Sequence, residues 1–148
     1  MSIASNPLPN GWPRISSGVT YEHAAAAIDW LCRAFGFEIQ LKVEGEGGTI
    51  VHSELVLGGG MIMVGDGKAR AWQKSPNQLG GACTQALCVY VDDVDEQCER
   101  ARAAGAVVAV EPKNTDYGDD YWIDRSYEAV DLEGHHWWFM QRLRGKTS

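Results

Sequence analysis

The segment Tyr21–Phe37, "YEHAAAAIDWLCRAFGF", repeats its apolar residues at helical spacing, with Ala24, Ala27, Ile28, Leu31, Ala34 and Phe35 on one face. Gly36 supplies the stop, because glycine readily takes the left-handed conformation that ends helices. The same design recurs from Asp93 in "DVDEQCERARAAGA", where Val94, Cys98, Ala101 and Ala104 form the stripe. Asp93 suits the N-cap and Gly105 the end. A strand-like run precedes each helix, "PRISSGVT" in one copy and "TQALCVYV" in the other. Three more follow each helix: "FEIQLKVE", "TIVHSELVL" and "MIMVG", then "VVAVEP", "WIDRSYEAV" and "HHWWFM". Turn residues, Gly58–Gly60 and Asp131–Gly134, join the last two runs of each set. The order is therefore βαβββ twice, with corresponding elements roughly 70 to 75 residues apart. One helix per module implies an antiparallel-rich sheet covered on one face, an α+β fold.

The chain has 148 residues, enough for one domain with a proper core. Residues 1–13 read as an extended arm, 14–143 as the domain and 144–148 as a tail. Module one spans about 14–66, a polar loop 67–82, and module two about 83–143. The net charge of −7 argues against nucleic acid and anionic membrane, either of which would select a basic face. It suits a neutral or cationic small ligand. The basic stretch "RLRGKTS" is short and terminal, and reads as solvated. No apolar run approaches the length that spans a bilayer, and "MSIASNPLPNGWP" lacks the pattern of a signal peptide. Cys32, Cys83, Cys88 and Cys98 fall in no C-x-x-C pair, which fits free thiols in a reducing cytoplasm.

Taken together, the paired modules, "IDWLCRAFGFEI", "VYVDDVDEQCERARAAGA" and the closing "YEAVDLEGHHWWF" resemble the vicinal oxygen chelate superfamily. This is the glyoxalase, bleomycin-resistance and extradiol dioxygenase group. "H-x-E-L-x-L-G" at His52–Gly58 is most similar to its PhnB-type members. Leu132 stands where the family usually carries proline in its Asp-Pro-x-Gly turn. The resemblance implies that the two modules form a half-open, barrel-like mixed sheet with a helix packed outside each. It also implies a homodimer and a cavity between strands.

Metal-dependent members hold a divalent ion with four side chains from the first and last strands of each module. Matched by position, those places fall at Ser16 or a neighbour, Met63, Ala86 with Gln85 beside it, and Trp138. None of the best-matched residues is His, Glu or Asp, and thioether, methyl and indole do not replace nitrogen or carboxylate donors. The expectation is no metal and no cofactor. One other set deserves testing. A two-residue turn at Gly58–Gly59 would put Glu54 opposite Met63, so that His52, Glu54 and His136 could share the cavity. Two histidines and a carboxylate are chemically a metal site; the plainer reading is a pair of polar groups on the wall.

In a strand, neighbours point to opposite faces, so His135 and His136 cannot serve one site. The family match turns His136, Trp138 and Met140 to the cavity and His135, Trp137 and Phe139 to the helix layer or rim. Reading the second hairpin in the same way as the first sets Tyr127 opposite Trp138, with Arg125 and Ala129 on the same face. A one-residue bulge would reverse that set. The expected lining is Met61, Met63, Tyr90, Tyr127, Trp138 and Met140. Its polar points are His52, Glu54, Arg125 and His136, with Trp72 and Trp122 able to cover a ligand.

The function expected is metal-free binding of a small organic molecule, aromatic or cationic, in that aromatic cavity, as in bleomycin-resistance proteins. The alternative is a lyase or isomerase of glyoxalase type. It would use a relocated metal, or Glu54 as a general base whose pKa burial has raised.

Overall fold

The computed structural model describes residues 8–146. Residues 1–7 of the expected arm and 147–148 of the tail lie outside the described residues. The chain runs β1 (Ser17–Thr20), α1 (Ala24–Phe35), β2 (Glu38–Glu44), β3 (Ile50–Leu57) and β4 (Gly60–Gly65). It then repeats the order as β5 (Leu87–Tyr90), α2 (Val94–Ala103), β6 (Val107–Asp116), β7 (Ile123–Val130) and β8 (His136–Arg144). Each module is a four-stranded mixed sheet, β1-β4-β3-β2 and β5-β8-β7-β6, with the first pair parallel and the others antiparallel. The barrel-like arrangement is open, as two separate sheets.

Both helices end as their sequences require. Gly36 and Gly105 adopt φ of 87° and 96°, and the Asp93 side chain caps α2 by accepting the Glu96 N–H at 3.0 Å. The two modules share one core. Phe35 on α1 packs against Trp137 and Phe139 of β8, at ring separations of 5.1 and 4.8 Å. Trp30 donates its indole N–H to the Ala104 carbonyl at 2.7 Å. Leu55, Ile62, Val64, Tyr127 and Ala129 complete this buried layer, so alternation leaves His52, Glu54, Met63, Glu128, Trp138 and Met140 on the opposite, open faces.

The first hairpin has the expected two-residue turn, since Leu57 pairs with Gly60. The second does not follow the expected register. Asp131 and His135 close a three-residue loop whose last member, Gly134, has φ of 98°. Tyr127 therefore stands opposite Phe139 instead of Trp138, and Glu128 opposite Trp138. The arm, expected to be extended, contains a turn in which the Trp12 N–H reaches the Pro9 carbonyl at 3.0 Å. β8 runs four residues past Met140, where the expected strand "HHWWFM" ends, and so carries Arg142 and Arg144 into the sheet.

Candidate functional site

The open face of module two is an aromatic wall. Strand pairing places Cys88 beside Trp138 and Tyr90 beside Met140, with Ser126 and Glu128 across the next ladder. At its outer end the Arg142 guanidinium lies 4.5 Å from the Trp122 ring centroid and 5.2 Å from that of Tyr90. It also bonds the buried carboxylate of Asp124 and the Tyr90 hydroxyl. Tyr90 in turn donates to Asp124 at 2.8 Å. Burial and this hydrogen bond push the Tyr90 phenol up from its usual range. Tyr117 and Tyr121 pack against Trp122, at 5.8 and 6.0 Å. At the inner end, His136 Nδ1 meets the Glu128 carboxylate at 2.5 Å. The wall thus offers flat apolar surface between two fixed polar groups, which suits a planar or amphipathic molecule.

The open face of module one carries a polar cluster. His52 Nε2 lies 2.9 Å from Glu54 Oε2, and Gln40 donates to Glu54 Oε1 at 2.9 Å. These bonds, from Gln40 first and then His52, hold the Glu54 carboxyl below its usual range. This corrects the expectation of a raised pKa, because burial without partners would penalise the charge whereas donors stabilise it. Glu54 is accordingly a weak base here.

Several expected wall residues lie elsewhere. Tyr127 is fully buried in the helix-facing core, where its hydroxyl bonds Gln97 and burial drives its pKa far up. Arg125 also faces the helices, gripping Asp95 with two bonds of 2.9 Å and Asn114 with one of 3.0 Å. Trp72 is exposed in a separate crevice with Thr20, Pro76, Cys83 and His135. His136 pairs with Glu128 and does not join His52 and Glu54. Among the described residues, no group of three or more His, Cys, Asp or Glu side chains is placed to hold a metal.

The positions that the resemblance assigns to metal ligands can be tested against the pairing. Met63 stands beside Gly18 on β1, and Trp138 beside Cys88 on β5. Gln85 instead spends its amide on the Ser17 hydroxyl, at 2.9 Å. Thioether, indole and one neutral amide do not form a donor set for a divalent ion, so these residues do not fit the metal. Sequence reasoning missed Asp124, Glu128 and Arg142. The first two were hidden by the one-residue register error, and Arg142 by its place in a basic terminal stretch.

A second feature opens between the modules. A cleft of about 590 Å3 runs beside the Gly58–Gly60 turn and along β5, with Phe37 and Trp137 in its lining. Met61 and Tyr90 stand in its lining as well.

Comparison with known proteins agrees with this architecture. The family model for the Glyoxalase/Bleomycin resistance protein/Dioxygenase superfamily matches residues 16–139. Uncharacterized proteins of Mycobacterium bovis and Mycobacterium tuberculosis are 32% identical over 135 residues, covering 89% of this chain and 85% and 76% of theirs. Among solved structures, TioX from Micromonospora sp. ML1 is 31% identical with a TM-score of 0.67, over 89% of this chain and 100% of that one. TnmS3, an antibiotic binding protein from Streptomyces sp. CB03234, has a TM-score of 0.59 over 86% of this chain and 92% of its own. At 22% identity that likeness is one of fold.

Proposed function

The chain belongs to the glyoxalase/bleomycin resistance protein/dioxygenase superfamily, and from that membership we propose that it binds a small organic molecule without a metal. The ligand lies on the aromatic wall of module two, against Trp138 and Met140, with Tyr90 and Trp122 toward its outer end. The observation that carries this reading is the pairing of Trp138 with Cys88 and of Met63 with Gly18, which sets apolar surface where ion ligands would stand. The antibiotic-binding description of TnmS3 lends support from a protein of the same fold. His52 and Glu54 form a second, polar point on the neighbouring sheet. We take the protein to act as a homodimer, since Ile39, Leu41 and Val43 on the outer strand β2 are each more than 40% exposed. Free cysteines fit a reducing cytoplasm.

The test is quenching of tryptophan emission by a panel of planar aromatic compounds, repeated with Trp138→Ala. Saturable quenching that the substitution removes supports the reading. Binding of one tightly held Zn²⁺ or Ni²⁺ per chain, lost in His52→Ala, would overturn it. A lyase or isomerase has one observation in its favour, the His136–Glu128 pair. A carboxylate on Nδ1 leaves Nε2 free to move a proton beside the wall. Turnover that disappears in His136→Gln while binding survives would establish that alternative.

A further inference from the structure

The ion pair of Arg142 differs from the other arginine pairs of the chain. Arg102, Arg125 and Arg144 meet Glu111, Asp95 and Asp116, whose side chains are 67%, 60% and 61% exposed. The Asp124 side chain that holds Arg142 is 8% exposed, while Arg142 itself is 39% exposed. The carboxylate is a sunken floor, and the guanidinium lies over it near the surface, against the rings of Tyr90 and Trp122. Both cation–ring contacts among the described residues belong to this one arginine. The surroundings are held by contacts that do not involve Arg142. Tyr90 donates its hydroxyl to Asp124 at 2.8 Å. Tyr117 and Tyr121 pack on the Trp122 ring, and the Tyr117 N–H reaches the Trp122 carbonyl at 2.9 Å. Tyr90 and Asp124 stand on β5 and β7, the two strands that flank β8.

The geometry points to a recognition site for an organic cation, an ammonium or guanidinium group, formed by Asp124, Tyr90 and Trp122 and filled in this structure by the chain's own Arg142 as a displaceable occupant. A buried carboxylate beside two ring faces attracts a cation by charge-assisted hydrogen bonds and by the ring quadrupoles. Neither force distinguishes a tethered guanidinium from a free one. Asp124 keeps the Tyr90 hydroxyl when the guanidinium leaves, and the exposed Arg142 side chain passes into water. The net charge of −7 favours approach of a cation. A tethered group competes at high effective concentration, so an incoming cation displaces it only with help from further contacts. The wall supplies these. Met140 and Trp138 precede Arg142 by two and four residues on the same face of β8, about 7 and 13 Å along the strand. The inference rests on the wall reading only for the place of the ligand's rings, and it narrows the ligand class to an arylalkyl amine or guanidine.

4-Phenylbenzylamine, a cation at neutral pH, and 4-phenylbenzyl alcohol, its neutral counterpart, are the probes. Calorimetric titration into the full chain should show the amine binding about tenfold tighter than the alcohol. Arg142→Ala removes the competitor and should tighten the amine about fivefold or more, with the alcohol changed by less than about twofold. An arginine that is a fixed part of the fold predicts no gain. Far-UV circular dichroism and the melting temperature confirm that the variant folds. If it does not, the Nε–H resonance of Arg142 in the wild-type chain decides: the amine should move it toward the position of free arginine, and the alcohol should not. Measurable but equal binding of the two probes overturns the inference, as does unchanged or weaker amine binding in folded Arg142→Ala, or an Arg142 resonance that the bound amine leaves in place. Equal binding that Trp138→Ala removes from both would leave the wall standing and the cation site refuted. If neither probe binds, methylguanidinium alone is the test. A rise in the melting temperature of Arg142→Ala that Asp124→Asn abolishes would establish the cation site and refute the wall; no rise would refute the cation site as well.

Discussion

Ser75 and Glu133 meet at 2.6 Å, and the same carboxylate accepts the backbone N–H groups of Glu22 and His23 at 2.6 and 2.9 Å. One side chain from module two thus fixes the linker and the approach to α1 in module one. Removing it leaves three donors without their partner. Glu133→Ala should cost about 2–4 kcal/mol of stability, and Glu133→Gln less because it keeps one acceptor. Urea denaturation of both variants is the check; equal stability of Glu133→Ala and wild type would remove the latch from the account.

Alkaline pH should separate the tyrosines. The Tyr21 hydroxyl donates to Asp131 at 2.6 Å, and burial, followed by that carboxylate's charge, holds its pKa well above the usual value. Burial does the same for Tyr127. The unfolded chain loses these protons near pH 10 while the native chain keeps them. Stability is therefore fully present below about pH 10 and falls as pH rises from there toward the folded values. Ultraviolet titration should show Tyr21 and Tyr127 ionising only as the protein unfolds.

Glu54 acts in the opposite direction. Its carboxyl is held low by Gln40 and then His52, so its contribution is present above the unfolded value near pH 4.3 and is lost as pH falls through the folded one. Gln40→Ala should raise the Glu54 pKa, read by carboxyl carbon NMR. No movement would mean that Gln40 does not control the charge.

Arg142 and Asp124 should show strong coupling. Asp124 is 5% exposed, and Arg142 supplies its cation while stacking on Trp122. Arg142→Met should destabilise by about 1–3 kcal/mol and alter tryptophan emission, with Asp124→Asn recovering part of the loss. A double-mutant cycle measures the coupling; additive effects would show the two side chains to be independent.

The repeat, both helices and the facing of His52 and Glu54 were legible in the sequence for physical reasons. Alanine and aromatic spacing marks a helix, and a two-residue glycine turn preserves register. The second hairpin was not legible to the same degree. "DLEG" permits either a four-residue turn or a three-residue loop with glycine in the left-handed region. The Asp131 carboxylate, bonding the N–H groups of Glu133 and His135 at 3.0 Å, favours the second. That one residue moves Arg125 and Tyr127 to the helices and brings Glu128 to the wall. The lowered pKa of Glu54 depended on Gln40, which sits at an irregularity in the β2–β3 pairing and has no signature in the pattern.

The contact between Phe35 and the rings of Trp137 and Phe139 bears on what counts as the smallest foldable piece. The chain is a duplication in sequence, yet α1 buries its last turn against a strand made more than a hundred residues later. A ribosome that has finished the first copy has not finished a core. Half the gene would yield an adhesive fragment, competent only when it meets the other half.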